Sequence, residues 1–236
     1  MEQTHARQAA QPAGRIIGIV YLCYFVAAFS GILLMKGIVV PADATATANN
    51  MLLHESVYRA GFAISLVANA IYLAVTALFY KLLGPVNWNV SLVAAFLSVA
   101  GCVVQISGGL LQLAPFVLLK DTHAAQAFNV EQVRSAVLLS FTLYAQVFSI
   151  SLVLFAAYDL LLGYLVWRSK FLPRALGAFL MIAGIGWLSF LWPPLASSLS
   201  SIVLPVGALA EILLMIWLLV KGVDVPAWQK SAAETL

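Results

Sequence analysis

Glu211 lies inside a long apolar run, ten residues before Lys221, and is the deepest ionisable residue of the chain. A charge at the centre of a membrane-spanning segment costs about 2.5–3.5 kcal/mol on insertion scales. It must be neutralised, paired or hydrated, and no Lys or Arg stands at the same depth in any apolar run. Protonation, or hydrogen bonds from Asn69, Gln105 or a tyrosine, is the expected solution. Two chemistries are open to such a carboxyl: coupling to a proton or cation while binding a polar substrate group, or pinning helices together as a neutral acid. Asp159 precedes Arg168 by nine residues, about 13 Å along a helix. That spacing puts it in the inner half of its run, within reach of the headgroups.

Other polar residues follow helical spacing. Ser98, Gly101, Gln105, Gly108 and Gln112 recur at intervals of 3, 4, 3 and 4. Gly61, Ser65, Asn69, Tyr72 and Thr76 form a second stripe, and Ser140, Tyr144, Ser151 and Tyr158 mark a third helix. An amide facing lipid has no partner, so these faces are expected to point into a bundle, as interhelical hydrogen bonds or as the lining of a wet cavity. His54, Glu55 and His123 fall in outer loops and carry metal-ligating chemistry. They show neither an HExxH pattern nor an i,i+4 histidine pair, so no metal is expected. Ser107-Gly108-Gly109 lacks the GxSxG elbow of a nucleophile. Cys23 and Cys102, both in apolar runs, read as packing thiols, and no cofactor motif or catalytic constellation appears.

The elements that must carry these residues are membrane helices. Of 236 residues, 63% are hydrophobic and 9% charged, against about 25% charged in soluble domains. A soluble enzyme cannot cover its surface with so little charge. The net charge of +3 is too small and scattered for a nucleic-acid partner; the lipid bilayer is the expected one. About 20 apolar residues cross the hydrocarbon, and six runs qualify: 16–40, 60–83, 90–119, 135–167, 175–192 and 198–220. Pro115 is expected to bend the third, and the fourth exceeds one perpendicular crossing. The pair Pro193-Pro194 separates the last two. The first run is longer than a signal-peptide core and reads as an uncleaved signal anchor. The expected fold is all-α, a bundle of six transmembrane helices over 15–223 with tails at 1–14 and 224–236.

Lys and Arg near the run ends set the orientation. With the N-terminus inside, inner segments hold eight (Arg15, Arg168, Lys170 and Arg174 among them) and outer loops four. Both termini are therefore expected in the cytoplasm. Glu55 and Arg59 stand at i,i+4 in the favourable order for an exposed ion pair, with Asn49 or Asn50 expected to cap the helix there. Gly14-Arg15-Ile16-Ile17-Gly18 and Pro173-Arg174-Ala175-Leu176-Gly177 both open helices on the inner side. An inner Arg follows from the charge rule unaided, so this likeness does not establish a repeat. Trp88, Trp167, Trp192 and Trp228 mostly sit near run ends, as interfacial aromatics do.

Several strings together resemble one known family. They are Arg15-x-x-Gly18-x-x-Tyr21-Leu22, Glu55-x-x-Tyr58-Arg59, Tyr80-Lys81-Leu82-Leu83-Gly84-Pro85-Val86-Asn87 and Gly163-Tyr164-Leu165. Two more are the most specific: Ser169-Lys170-Phe171-Leu172-Pro173-Arg174-x-Leu176-Gly177, and Glu211-x-x-x-x-x-Trp217-Leu218-Leu219-Val220-Lys221-Gly222. From about Arg15 to Val223 the chain resembles the bacterial integral-membrane family catalogued as domain of unknown function 4386. The resemblance implies six spans, a bacterial inner membrane, and a shared pattern containing Arg15, Glu55, Arg59, Pro173, Arg174 and Glu211. It carries no activity over. It also implies a histidine about where this chain has Tyr158, which weakens any proton relay through that histidine here.

Three functions follow as expectations. The first is small-molecule or ion handling around Glu211, with Asp159, Asn69, Gln105, Gln112, Tyr144 and Tyr158 as candidate binding groups. The second is a non-catalytic component that binds lipid or a protein partner, and the third an enzyme with an outer-face metal at His54, Glu55 and His123. A water-filled cavity at Glu211, a dry core with an apolar groove, and convergence of the two histidines would separate them.

Overall fold

The computed structural model describes residues 2–120 and 128–234, with side chains from residue 14 onward. Among these residues every regular element is helical: α1 (Glu2–Met35), α2 (Ala44–Leu53), α3 (Glu55–Leu83), α4 (Trp88–Lys120), α5 (Val130–Arg168), α6 (Arg174–Trp187), a 3₁₀ turn (Leu188–Leu191), α7 (Pro193–Val220) and α8 (Val225–Glu234). Six segments are long and apolar enough to cross a membrane: Gly14–Met35, Glu55–Leu83, Trp88–Lys120, Val130–Arg168, Arg174–Leu191 and Pro193–Val220. Leu110, Leu33 and Phe96 are 73%, 67% and 65% exposed. An apolar surface of that kind suits hydrocarbon as its solvent. The protein is an all-α, multi-pass membrane protein.

Helix ends follow local chemistry and differ in places from the apolar runs. α1 stops at Met35 because Gly37 turns the chain at φ +81° and Pro41 follows. Asp43 then caps α2, accepting from the Ala46 amide at 2.8 Å. Asn50 is not a cap, as expected for it or Asn49, but donates to the Gly37 and Ile38 carbonyls at 3.3 Å each. Pro193 and Pro194 start α7 rather than only breaking the chain, since a first-turn proline loses no helical hydrogen bond. The 39 residues of α5 rise about 58 Å, nearly twice a hydrocarbon core of about 30 Å. At the C-terminus, α8 adds a short helix where a plain tail was expected.

The chain forms two compact units. Unit 1 comprises Met1–Cys23, Ile71–Cys102 and Ile150–Leu236, and unit 2 comprises Tyr24–Ala70 and Val103–Ser149.

Unit 1 is held by backbone-close helix contacts. A Cβ at Gly177 would lie 2.5 Å from the Gly163 carbonyl, and one at Gly163 would lie 2.6 Å from the Gly177 carbonyl. Only glycine lets α5 and α6 approach so closely. A Cβ at Gly18 on α1 would come 2.7 Å from the Leu219 amide of α7. Thr76 and Ser98 link α3 to α4 at 2.7 Å, and Trp187 donates to the Val203 carbonyl of α7 at 3.0 Å. Trp228 of α8 donates to the Leu82 carbonyl at 2.9 Å.

Unit 2 has an apolar interior. Ile38, Met51, Tyr58, Phe116, Val137 and Phe141 form its core. Tyr58 packs edge-on against Phe116 and Phe141 and donates to the Gln112 carbonyl at 3.2 Å.

Candidate functional site

Inside unit 1, four helices bring together three tyrosines and two acids. The buried face of α1 carries Ile17 and Tyr21, one turn apart, and α3 buries Tyr72, Val75, Thr76 and Phe79 at matching intervals. From α5 come Phe155, Tyr158 and Asp159; from α7 comes Glu211, between Gly207 and Met215 on its buried side. The tyrosine rings interlock edge to face, with centroids of Tyr21 and Tyr72 at 6.2 Å, Tyr72 and Tyr158 at 6.4 Å, and Tyr72 and Phe155 at 5.5 Å. Interlocked rings of this kind hold the hydroxyls in place.

Glu211 receives hydrogen bonds from Tyr21 and from Tyr72, the latter at 3.4 Å. Asp159 is near enough to Glu211 to feel its charge. It is 0% exposed, against 5% for Glu211, and neither of its carboxyl oxygens has a hydrogen-bond partner among the described residues. The reach to the headgroups expected for Asp159 is therefore corrected: it is enclosed in protein. No Lys or Arg pairs with either acid, for the ion pairs among the described residues are Glu55 with Arg59 and Glu55 with Lys120.

The expected donors to Glu211 are also revised. A tyrosine was one of three candidates, and tyrosines supply the hydrogen bonds. Asn69 gives its amide to the Ser65 carbonyl at 3.0 Å, one turn back on α3 in unit 2. Gln105 is half-buried in the same unit, and buried Gln112 takes part through its backbone carbonyl. Tyr144, also in unit 2, is half-buried beside Phe148. Tyr158 alone of these candidates joins the acids. Tyr21 and Tyr72 were missed as site residues. Their signal was present: Tyr21 lies a turn beyond Gly18 in a family string, and Tyr72 lies on the polar stripe of its helix.

The remaining candidates lie apart from this cluster. Arg59 donates to Glu55 at 2.9 Å, as the i,i+4 spacing predicted, but Lys120 of α4 also binds Glu55. The Arg59 guanidinium sits 4.3 Å over the Phe116 ring. The pair is thus a three-residue cluster. His54 is exposed at the end of α2, and His123 lies outside the described residues. Among the described residues no three His, Cys, Asp or Glu side chains gather as a metal site. Arg15 is exposed near Gly222, while Arg168, Lys170 and Arg174 surround the loop between α5 and α6.

Chemically, the cluster offers carboxyl oxygens and phenol hydroxyls without a basic group. Such a set exchanges a proton between acids or surrounds a small hard cation with oxygen.

No curated protein matches the chain, and no solved structure does. The family described as Domain of unknown function (DUF4386) matches residues 16–222. That span includes Tyr21, Tyr72, Tyr158, Asp159 and Glu211, and the chain belongs to this family.

Proposed function

We propose that the protein handles a small molecule or ion, and that Asp159 and Glu211 together take up and release a proton or a monovalent cation in doing so. One observation carries this reading: a fully buried carboxyl with both oxygens unpartnered, beside a second buried carboxyl. Leaving a buried polar group unsatisfied costs about 1–3 kcal/mol, and more when it is charged. Two neighbouring carboxylates in a dry interior repel each other and lose their hydration. The pair is stable only while at least one of the acids carries a proton or a cation is held, so its charge state couples to whatever else enters the site. The tyrosine hydroxyls hold Glu211 in place and leave Asp159 as the exchanging member. The positive-inside count supports both termini in the cytoplasm, and the resemblance to the family supports an inner-membrane location. A periplasm-only reporter should then be silent at Leu236 and active near Ala46.

Infrared titration of the purified protein tests the proposal. A protonated-carboxyl band should be present near neutral pH, respond to pH or to added Na⁺ or K⁺, and shrink in Asp159→Asn and in Glu211→Gln. A band that does not change between about pH 5 and about pH 9, with or without cations, would show a fixed acid that only joins helices.

A further inference from the structure

A cleft of about 590 Å³ opens beside the loop between α5 and α6. Trp167, Arg168, Lys170 and Arg174 line it, together with Glu234 of α8. Three cations thus face one carboxylate, and none of the three forms an ion pair among the described residues.

Two features of the loop are unfavourable on their own. Lys170 adopts φ +59°, the left-handed region that glycine occupies without strain. The loop holds it there firmly. Ser169 donates to the Val166 carbonyl at 2.8 Å and accepts from the Leu172 amide at 3.3 Å, while Phe171 and Leu172 are buried. The Phe171 carbonyl also accepts from the Asp224 amide at 3.2 Å. Arg174 is the first residue of α6, where the helix dipole disfavours a cation. Pro173 precedes it and gives no side-chain cap, and its carbonyl accepts from the Leu176 amide at 3.1 Å. An arginine at the wrong helix end, beside two further cations of a firmly held loop, becomes favourable with an anion in the cleft.

The position of the cleft selects the kind of anion. Trp167, 42% exposed, lines it at the end of the apolar span of α5, one turn beyond Tyr164, which is 41% exposed. Aromatic residues so placed sit at headgroup level, where phosphate is covalently attached to lipid. We propose that the cleft binds the phosphate of an anionic lipid headgroup, with Arg168, Lys170 and Arg174 as its charge partners. This site is separate from the acid pair and goes beyond the function proposed above.

Melting of the detergent-solubilised full chain tests the inference. The probes are short-chain phosphatidylglycerol, phosphatidylcholine of the same chain length, and inorganic phosphate. Phosphatidylglycerol should raise Tm by about 5 °C or more near saturation, and the other two should change it little. Lys170→Gly relieves the backbone strain, so its lipid-free Tm should equal or exceed that of the parent, while its response to phosphatidylglycerol should fall by at least half. Arg174→Gln should weaken that response similarly. Equal stabilisation by phosphatidylcholine would overturn the anion site. Equal stabilisation by inorganic phosphate would overturn the lipid assignment in favour of a soluble phosphoryl compound. An undiminished response in Lys170→Gly would reduce the loop to a structural turn.

Discussion

Each unit buries a tyrosine among aromatic rings, yet the two hydroxyls meet different partners. In unit 2, Tyr58 donates to a backbone carbonyl, and the neighbouring core is apolar. In unit 1, Tyr72 donates to Glu211 beside an unpartnered Asp159. The acids differ in the same way. Glu55 in unit 2 is partly exposed and held by two cations, whereas Asp159 and Glu211 in unit 1 are buried with none. A polar group that serves only stability is satisfied where it stands. The uncompensated acid is the feature that structure alone does not require, and a chain selected only to stay folded would do better without it.

Substitutions in matched positions sharpen the contrast. The largest effect is expected from Gly177→Ala, whose new methyl meets the Gly163 carbonyl and the Trp167 backbone. It should destabilise by about 3 kcal/mol. Gly108→Ala in unit 2 meets a Val147 side-chain methyl at 2.8 Å, which can turn aside, and should cost under about 1 kcal/mol. Equal melting of the two variants would remove the distinction between the backbone contact at Gly177 and the side-chain contact at Gly108.

Next in size is Glu211→Leu, which strips Tyr21 and Tyr72 of their acceptor and should cost about 2 kcal/mol. Glu211→Gln keeps an acceptor and should melt close to the parent. Asp159→Leu has the same heavy-atom branching as the acid and removes an unsatisfied group. It should be neutral or stabilising by about 1 kcal/mol. Calorimetry or a denaturation series distinguishes the pair. A large loss in Asp159→Leu would mean that Asp159 has a structural partner.

The smallest effect is expected at Glu55. Its cluster is solvent-facing, so Glu55→Gln should shift Tm by no more than about 2 °C, and less in high salt. A larger drop would place structural weight on the link between α3 and α4.

Hydropathy made the six spans legible because each crossing helix must be apolar along its whole length. Depth within one run singled out Glu211 for the same reason. Enclosure is a different property, set by neighbours far away in the chain. Asp159 lies nine residues from a basic loop and so read as interfacial, but packing in unit 1 seals it. The approach of Tyr21 to Glu211 joins α1 to α7, and no spacing along either helix encodes that contact. The i,i+4 pair of Glu55 and Arg59 was legible because it is local, while Lys120, 65 residues away, was not. Proline was read by its usual role as a breaker, although at the first turn it starts a helix as readily as it ends one. Lys170 gave no warning of its left-handed backbone, since nothing in a lysine codes for it.

Ion flux through purified protein in liposomes tests the central claim most directly. With a potassium gradient and valinomycin imposing a membrane potential, a trapped pH dye reports proton movement and a sodium or potassium dye reports cation movement. The parent should exceed protein-free liposomes in one of these, Asp159→Asn should lower that flux at least tenfold while melting like the parent, and Glu55→Gln should leave it unchanged. Parent liposomes indistinguishable from empty ones, or undiminished flux in Asp159→Asn, would contradict the account of Asp159 and Glu211 as an exchanging acid pair.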